Sequence, residues 1–307
     1  MRALIVTNMY PSRERPAHGS FVRDQVEALR RLDDAEVELF TFAPGSAGAY
    51  GRAAQELHRA YRGQRFDVVH AHFGLTAWPA LFASGRRRAL TLHGTDLAHP
   101  RSRAISLAAL RSYDLVATVS AALAQGIPGW AWPREVAVLP CGVDLQRFRP
   151  IPRPEARAAL GLETEGPYLL FAADPARPEK RFDRAAQLAG QVPLLALEDV
   201  DPQQVPLWVN AANAVLVPSE REGFGLGVVE ALACDVPVLA TPVGIAPEVL
   251  PAIEGTHCGP FDLAAWGDAL GPHLAARDPR VSGRARAEEF SADRMATRVL
   301  NAWRALG

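Results

Sequence analysis

Residues 214–231 read AVLVPSEREGFGLGVVEA, an apolar run that passes through a glycine-rich turn into a helical stretch. The run Ala214–Val217 is short, apolar and followed by Pro218, a pattern that predicts a buried strand. Three glycines then occur within the five residues from Gly223 to Gly227. A strand that leads into a helix in this way predicts one unit of a parallel α/β sheet.

The same alternation of short apolar runs and longer helical stretches extends along the chain in both directions. Further strands are predicted at Ala3–Thr7, Val37–Phe42, Phe66–Ala71, Leu90–His93, Leu115–Val119, Val136–Leu139, Tyr168–Phe171, Leu194–Leu197 and Val236–Ala240. Helices are predicted at Phe21–Leu32, Ser102–Ser112, Ser120–Gly126, Phe182–Gly190, Gln203–Asn210, Gly225–Ala233, Leu263–Ala275 and Ser291–Leu306. Parallel strands joined by right-handed crossovers make a doubly wound α/β sheet the expected fold.

A proline-rich stretch, Arg149–Pro154, divides this alternation into two halves. We therefore predict two Rossmann-like domains, residues 1–148 and 149–290, with a C-terminal helix at 291–307 that packs back onto the first. A length of 307 residues suits about two domains of ordinary size. Ligands of such sheets bind at the carboxyl ends of the strands, so the cleft expected between the domains is the predicted site.

Composition limits the classes of function that remain open. The 33 basic residues comprise 32 Arg and a single Lys, Lys180, against 34 acidic residues, for a net charge of −1. This balance argues against a protein that binds nucleic acid through its overall charge. Three scattered cysteines, and an N-terminal apolar run too short for a signal peptide, favour a cytoplasmic location. No stretch is long enough to span a bilayer.

The glycine-rich turn has the features of a phosphate site flanked by two carboxylates. Backbone N–H groups at the start of a helix, together with the positive end of the helix dipole, suit a phosphate. Glu222 and Glu230 lie eight residues apart on either side of this turn. Since carboxylates repel phosphate, hydroxyl groups of a sugar or ribose are their better partners. The alternative is a glycine-containing loop whose carboxylates serve only the helix dipole.

A second turn, Asp174–Phe182, concentrates positive charge after the predicted strand Tyr168–Phe171. Arg177, Lys180 and Arg181 lie within five residues of one another and could neutralise a diphosphate. The alternative is a solvated basic turn.

Two features of the first half point to a contribution from that domain. His93 follows a predicted strand and precedes Gly94-Thr95-Asp96, so its imidazole is a candidate for bonding a sugar hydroxyl or transferring a proton. Gly19 ends a long βα loop and lets the backbone approach a phosphate or sugar. A structural histidine is the alternative for His93.

Other constellations match different chemistry, although packing and solvation explain them better. His70-Ala71-His72, with His93 and Asp96, has the residue types of a metal-dependent hydrolase. The basic cluster Gly85–Arg88 is interpreted as a solvated loop, with contact to anionic lipid or to an acidic acceptor as the alternative. Signatures of dinucleotide dehydrogenases, P-loop enzymes and serine hydrolases are missing from the sequence.

Taken together, the motifs resemble a retaining glycosyltransferase of family 4, in the two-Rossmann-domain GT-B arrangement. The most specific likeness is Glu222 to Glu230, which matches the family's Glu-x₇-Glu motif. The likeness also rests on these segments: Ala231–Thr241, Pro247-Glu248, Asn8–Pro11, Gly19, Phe21–Gln25, His93–Asp96 and Gly142–Asp144. Within the family, bacterial surface-polysaccharide enzymes of the teichuronic-acid type are most similar.

The resemblance implies a role for each matched residue. Lys180 and a nearby Arg would hold the donor diphosphate, Glu222 the transferred sugar and Glu230 the nucleotide ribose. The donor-binding residues of the glycine-rich turn would be Gly223, Phe224, Gly225, Leu226 and Gly227. Gly19 would approach the donor from the first domain, and His93 would lie beside the reacting sugar.

The implied reaction moves a hexose-type sugar from a nucleotide sugar to a glycan or lipid-linked acceptor in cell-surface polysaccharide or glycoconjugate synthesis. It would proceed by front-face substitution and without a metal cofactor. Peripheral contact with the inner face of the cell membrane is a further expectation, and nucleic acid is not an expected partner.

Three departures from the family pattern bear on these expectations. Ala173-Asp174 replaces the usual Gly-Arg pair, so Arg177 is the candidate substitute. Cys141 replaces the usual Asn, and the stretch from Lys180 to Pro218 is short. These departures leave a second function possible, that of a homologue that binds nucleotide sugar or glycan without turnover. The metal-dependent hydrolase is the third.

Overall fold

The computed structural model describes residues 1–132 and 134–307. The chain forms two compact units, one of Met1–Gly142 with Ala292–Gly307 and one of Val143–Ser291. Each unit is built on its own parallel sheet.

The first unit contains a six-stranded sheet in the order β2-β1-β3-β4-β5-β6, with every pairing parallel. Its strands are β1 (Arg2–Thr7), β2 (Glu36–Thr41), β3 (Phe66–His72), β4 (Gly85–Leu92), β5 (Leu115–Thr118) and β6 (Ala137–Val138). Its helices are α1 (Ser20–Arg30), α2 (Ala47–Ala60), α3 (Ala77–Ala80), α4 (Thr95–Ala98), α5 (Pro100–Ala109) and α6 (Ala121–Gln125). Apolar residues of β1 and β3 are buried, as expected of a parallel sheet that is covered on both sides.

The second unit contains a five-stranded sheet in the order β11-β10-β9-β7-β8, again parallel throughout. Its strands are β7 (Leu169–Phe171), β8 (Leu194–Ala196), β9 (Ala214–Val217), β10 (Val238–Ala240) and β11 (His257–Cys258). Its helices are α7 (Arg153–Ala159), α8 (Phe182–Ala189), α9 (Val205–Ala211), α10 (Leu226–Ala233), α11 (Ala246–Val249), α12 (Leu263–Ala275) and α13 (Arg284–Ala287). The predicted fold class, two doubly wound parallel-sheet domains, is confirmed.

The C-terminal helix α14 (Ala292–Arg304) belongs to the first unit. It packs against α1 with a buried apolar stripe that includes Met295, Val299 and Trp303. Each fully buried side chain of this size contributes roughly 1.5–3 kcal/mol. The chain therefore leaves the first unit after Gly142 and returns to it at Ala292, so the unit boundary precedes the predicted one at 148/149 by six residues.

The prediction for Gly85–Arg88 was wrong, because these residues open β4 rather than forming a solvated loop. Arg87 and Arg88 pair with Val68 and Val69 of β3, and the Arg88 backbone N–H donates to Asp114 Oδ2 at 2.8 Å. Three consecutive arginines lack the apolar pattern that predicts a strand. They can still form one, because pairing in the sheet uses only backbone groups.

The proline-rich stretch Arg149–Pro154, near the start of the second unit, is held by arginine side chains. Arg153 is only 1% exposed, and its guanidinium donates to the carbonyl oxygens of Ala212 and Pro279. Arg280 donates to the Ile151 carbonyl oxygen at 2.7 Å. A lysine carries its three N–H donors on one nitrogen, whereas a guanidinium spreads five over three nitrogens and so reaches carbonyls that lie apart. Some of the abundant arginines therefore have a structural task.

No helix within residues 1–132 and 134–307 is both long and apolar enough to cross a membrane.

Candidate active site

In the second unit, the two predicted donor-binding turns lie side by side. One turn follows β7 and the other follows β9, and these strands are hydrogen-bonded neighbours. After β7 the chain adds β8 on one side of β7, and it then crosses over to add β9 on the other side. The strand order therefore reverses between β7 and β9. Parallel α/β sheets bind ligands at such a point.

Lys180 and Glu222 form an ion pair across these turns. The Lys180 Nζ donates to Glu222 Oε2 at 2.5 Å, and the two side chains are only 11% and 10% exposed. Ser219 Oγ donates to the other carboxylate oxygen, Oε1, at 2.8 Å. A backbone hydrogen bond of 2.9 Å from Glu220 N to Glu179 O holds the turns together. The only lysine of the chain and the first glutamate of the motif thus share one site.

The glycine-rich turn ends at Gly225, the residue before α10. Gly225 has φ +93°, a left-handed conformation that favours glycine, and it provides no side chain to cap the helix. The helix therefore begins with backbone N–H groups that lack a side-chain acceptor from the cap residue, as an anion site requires. Gly223 and Phe224 precede this start, Leu226 and Gly227 form its first turn, and Glu230 lies one turn further on.

Arg177, the candidate replacement for the family's usual arginine, lies on the more exposed rim of the same turn. Its side chain is 48% exposed and donates to Glu179 Oε1 through Nη2 at 2.8 Å. Asp174, which occupies the family position, accepts from the backbone N–H of Ala176 at 2.8 Å and so shapes the turn. Arg177 is placed in the turn that carries Lys180, and its role in donor binding stays a prediction.

Cys141 occupies the family's usual asparagine position and is buried in the first unit. Burial raises the pKa of its thiol to about 12, so the thiol stays protonated at neutral pH. It therefore behaves as a packing residue rather than as a nucleophile.

Gly19 of the first unit is the residue before α1 and has φ +71°. A Cβ atom there would lie 2.3 Å from the carbonyl oxygen of Met9, so only glycine fits. The close approach that this residue permits is therefore to the chain's own βα loop. Its predicted contact with the donor is a separate matter and stays a prediction.

The segment after β4 is held by the carboxylate of Asp96. Asp96 is buried and accepts backbone hydrogen bonds from His93 at 3.1 Å, Gly94 at 2.8 Å and Gly74 at 3.2 Å. Burial raises the pKa of this carboxyl group, whereas the backbone donors stabilise the ionised form. Asp96 thus fixes the backbone at His93.

The imidazole of His93 lies in an aromatic setting. Its ring centroid lies 5.0 Å from that of Phe21 and 4.5 Å from that of Phe73. Its Nε2 lies 3.0 Å from His72 Nδ1. Burial holds the pKa of His93 well below its usual value, so the ring is neutral at neutral pH and can exchange hydrogen bonds without carrying charge.

The structure weighs against the metal-dependent hydrolase. Trp303 Nε1 donates to His70 Nδ1 at 3.1 Å, and His70 Nε2 lies 2.8 Å from Thr91 Oγ1, so both ring nitrogens are engaged within the fold. The Asp96 carboxylate is likewise occupied by backbone N–H groups. Within the described part of the chain, no three His, Cys, Asp or Glu side chains are grouped to hold a metal ion.

Four residues that lie beside predicted site residues within their own unit were not predicted to have a role. Ser219 bonds Glu222, His72 bonds His93, and Gln25 of α1 lies beside His72. Phe73 has φ +73°, which is rare for a non-glycine residue. The His-x-His spacing identified His72, but only as a metal ligand. Contacts between distant residues such as Gln25 and His72 leave no pattern in one sequence.

Two family models match the chain, one in each half. The model described as Glycosyltransferase Family 4 matches residues 18–147, and the model described as Glycosyl transferases group 1 matches residues 154–282. The D-inositol 3-phosphate glycosyltransferase of Mycolicibacterium paratuberculosis is 30% identical over 334 aligned positions, which cover 90% of this chain and 73% of that protein.

Solved structures show the same fold at low identity. The sucrose-phosphate synthase of Thermosynechococcus elongatus has a TM-score of 0.75 at 19% identity, covering 100% of this chain and 99% of that one. Anabaena HepE in complex with UDP-glucose has a TM-score of 0.72 at 17% identity, covering 99% and 100%.

Proposed function

Because the chain belongs to the group 1 glycosyltransferases, we propose that it moves a hexose-type sugar from a nucleotide-sugar donor to a hydroxyl-bearing acceptor, with retention of configuration. One observation carries the proposal: Lys180, Glu222 and Ser219 are joined by hydrogen bonds of 2.5 and 2.8 Å beside the start of α10. The residues offer a cation, a carboxylate and a helix N-terminus in one place. The cation and the helix N-terminus suit the diphosphate of such a donor, and the carboxylate suits its sugar hydroxyls.

The donor diphosphate is held by positive charge from the protein. The Lys180 ammonium group and the first N–H groups of α10 neutralise its oxygens, and Arg177 adds a guanidinium at the rim. Glu222 keeps the ammonium oriented in the free protein, and with donor bound it accepts hydrogen bonds from sugar hydroxyls. In this proposal the basic residues and the helix end do the work of a metal ion, and none is required.

Transfer proceeds on one face of the sugar. The bond from the anomeric carbon to the leaving phosphate oxygen breaks, and the acceptor oxygen bonds that carbon on the same face. The acceptor proton passes to the departing phosphate oxygen. Charge that develops on the phosphate is stabilised by groups already in position, which is the main source of rate enhancement in such a site.

The acceptor is proposed to be a glycan or lipid-linked glycan of the cell surface. A second candidate follows from the name of the relative from Mycolicibacterium paratuberculosis, D-inositol 3-phosphate glycosyltransferase, and is a phosphorylated polyol. Neutral His93 would bond a hydroxyl of the transferred sugar.

A thermal-shift screen across UDP-, GDP- and ADP-sugars tests donor binding. A ligand at a hundred times its Kd stabilises the folded state by about 2.7 kcal/mol. At about 2–4 °C per kcal/mol for a domain of this size, the matching donor raises Tm by roughly 5–10 °C. The nucleoside without its diphosphate is the control and should give a much smaller shift. No shift with any nucleotide sugar would contradict the proposal.

Transfer assays with and without chelator separate the three classes of function. Binding without turnover would identify the non-catalytic homologue. Turnover that a chelator abolishes, and that Lys180→Ala leaves unchanged, would identify the hydrolase.

We propose that one face of the first unit also contacts anionic lipid. Three large apolar side chains are exposed there, Trp78, Ile105 and Trp130, of which Trp130 is 69% exposed. They adjoin an apolar pocket lined by Ala98, Pro100, Arg103, Ala104, Leu107 and Trp130. The Trp78 Nε1 donates to the Ile105 carbonyl oxygen at 3.2 Å, which links α3 to α5. Tryptophan is enriched at membrane interfaces.

The charge of this face favours an anionic bilayer as its partner. Arg103 lines the apolar pocket together with Trp130, and it lies on α5, the helix that carries Ile105. Asp96 is buried and Asp114 pairs with Arg87, whereas Arg101 and Arg103 are exposed on α5. The face therefore combines apolar side chains with positive charge, as interfacial binding requires.

Replacing Ile105 and Trp130 together by Ser should weaken partitioning onto anionic vesicles at least about tenfold, because two exposed apolar groups no longer insert. Arg101→Gln should weaken it roughly fivefold, since each basic residue near such a surface contributes about 1 kcal/mol. Vesicle co-sedimentation measures both effects. Leu263→Ser, at an exposed apolar residue of the second unit, is the matched control and should bind as wild type. Vesicle binding by the double variant equal to that of the wild type would rule out this face as a lipid contact. If the double variant instead loses self-association, the face is a contact between two copies of the chain.

A further inference from the structure

We propose that Gln25 and His72 are positioning residues that determine which ring nitrogen of His93 carries its proton. The proposal rests on the proposed function, in which His93 bonds the sugar. Three side chains lie in a row. Gln25 Nε2 is 3.4 Å from His72 Nε2, and His72 Nδ1 is 3.0 Å from His93 Nε2. Gln25 and His72 are both buried, so water does not compete for these contacts.

Both imidazoles in the row are neutral. Burial lowers the pKa of His72 to about 3 and holds that of His93 well below its usual value. A neutral imidazole has one N–H donor and one acceptor nitrogen. The hydrogen bond at one nitrogen therefore determines what the other nitrogen offers, and the choice passes along the row.

The direction of the row begins at the Gln25 amide. Its NH₂ group faces His72 Nε2, which must then accept, so the proton of His72 is on Nδ1. His72 Nδ1–H donates to His93 Nε2, which leaves the proton of His93 on Nδ1. Rotating the Gln25 amide by 180° would reverse both hydrogen bonds and make His93 Nδ1 an acceptor. The amide orientation thus sets the hydrogen-bonding character of His93.

His93 Nδ1 is the nitrogen left for a ligand. In the described part of the chain, no protein group hydrogen-bonds it, and the residue is half-buried rather than enclosed. Phe21 and Phe73 pack against the ring and restrict its rotation. The structure therefore assigns to His93 an Nδ1–H that donates to a sugar hydroxyl oxygen. If Nδ1 were instead an unprotonated acceptor, this hydrogen bond would be lost and the sugar would bind more weakly.

His70 lies outside this row and provides an internal reference. Trp303 Nε1–H can only donate, so His70 Nδ1 accepts and His70 Nε2–H donates to Thr91 Oγ1. His70 contacts His72 by ring stacking, at 4.6 Å between centroids. Its proton lies on Nε2, opposite to the assignment for His72 and His93.

Two-bond ¹H–¹⁵N spectra of histidine-labelled protein at pH 7.5 test the assignment directly, without substrate. The wild type should show Nδ1–H for His72 and His93 and Nε2–H for His70. In His72→Phe, which keeps a ring against His93, the His93 proton should shift toward Nε2. In Gln25→Leu, His72 and His93 should each show a mixture of the Nδ1–H and Nε2–H tautomers. Trp303→Phe removes the indole N–H that donates to His70, and it should leave the position of the His93 proton unchanged.

The proposal would be overturned if His93 kept its wild-type tautomer in both His72→Phe and Gln25→Leu. It would also be overturned if Trp303→Phe changed the His93 tautomer as much as those variants do. The kcat/KM of donor turnover should fall about tenfold in His72→Phe, if the competent form decreases to about a tenth of the population. Because the spectra need no donor, they can support the tautomer assignment even if glycosyl transfer is not observed.

Discussion

Lys180→Ala is expected to lower the turnover of sugar transfer at least about a hundredfold. The Lys180 ammonium group is positioned by Glu222 at 2.5 Å. It lies beside the start of α10, where the proposed mechanism places the charge that develops on the leaving diphosphate. Removal of one preorganised charge or donor from such a site costs about 10²–10³ in kcat. Release of nucleoside diphosphate from the donor sugar measures the effect.

Two comparisons separate lost chemistry from lost stability in this experiment. Lys180→Ala leaves the Glu222 carboxylate without its cation at a site where both side chains are nearly buried, which by itself destabilises the fold. The double variant Lys180→Met with Glu222→Gln removes both charges and should regain thermal stability without regaining turnover. Arg277→Gln removes a side chain that is 79% exposed and remote from this pair, and should behave as wild type. Turnover in Lys180→Ala equal to the wild type would contradict the role of Lys180.

Glu222→Ala is expected to lower turnover by a similar factor, at least about a hundredfold, because it removes the proposed contact to the transferred sugar. It also frees Lys180 from the residue that orients it, so the two effects reinforce each other. Steady-state kinetics should show the loss mainly in kcat, since the sugar contact strengthens as the bond breaks.

Glu222→Gln retains the shape and the contact with Ser219 but not the charge, and should have intermediate activity. Glu220→Gln is the matched control, because Glu220 is an exposed carboxylate two residues away that pairs with Arg181 at 2.6 Å. Loss of turnover in Glu220→Gln equal to that in Glu222→Ala would show that the turn, rather than the sugar contact, was disturbed.

The alternation of apolar runs and helical stretches predicted most of the fold because burial on both faces of a parallel sheet leaves a strong pattern. Among the strands, the pattern failed where the backbone alone determines the structure. Gly85–Arg88 begin β4 by backbone pairing, and β11 has only two residues, His257 and Cys258. Neither segment has a side-chain signature of a strand.

The candidate site was predicted as separate residues, and the structure shows how they are grouped. The turns that carry Lys180 and Glu222 could be placed at strand ends from sequence. Their direct contact could not, because it joins residues 42 positions apart and depends on β7 and β9 being neighbours. The His70, His72 and Asp96 side chains have the composition of a metal site, yet their polar atoms bond Thr91, Trp303, His93 and backbone groups. Composition does not distinguish these cases.

One measurement tests the central claim most directly, namely that this chain transfers a sugar from a nucleotide donor held by Lys180. The nucleotide sugar that raises Tm most is incubated with wild type and with Lys180→Ala, both with chelator present, and the released nucleoside diphosphate is quantified over time. We expect release by the wild type with the chelator present and a rate at least about a hundredfold lower in the variant. An intact donor in the wild-type reaction, or equal release by both proteins, would contradict the claim.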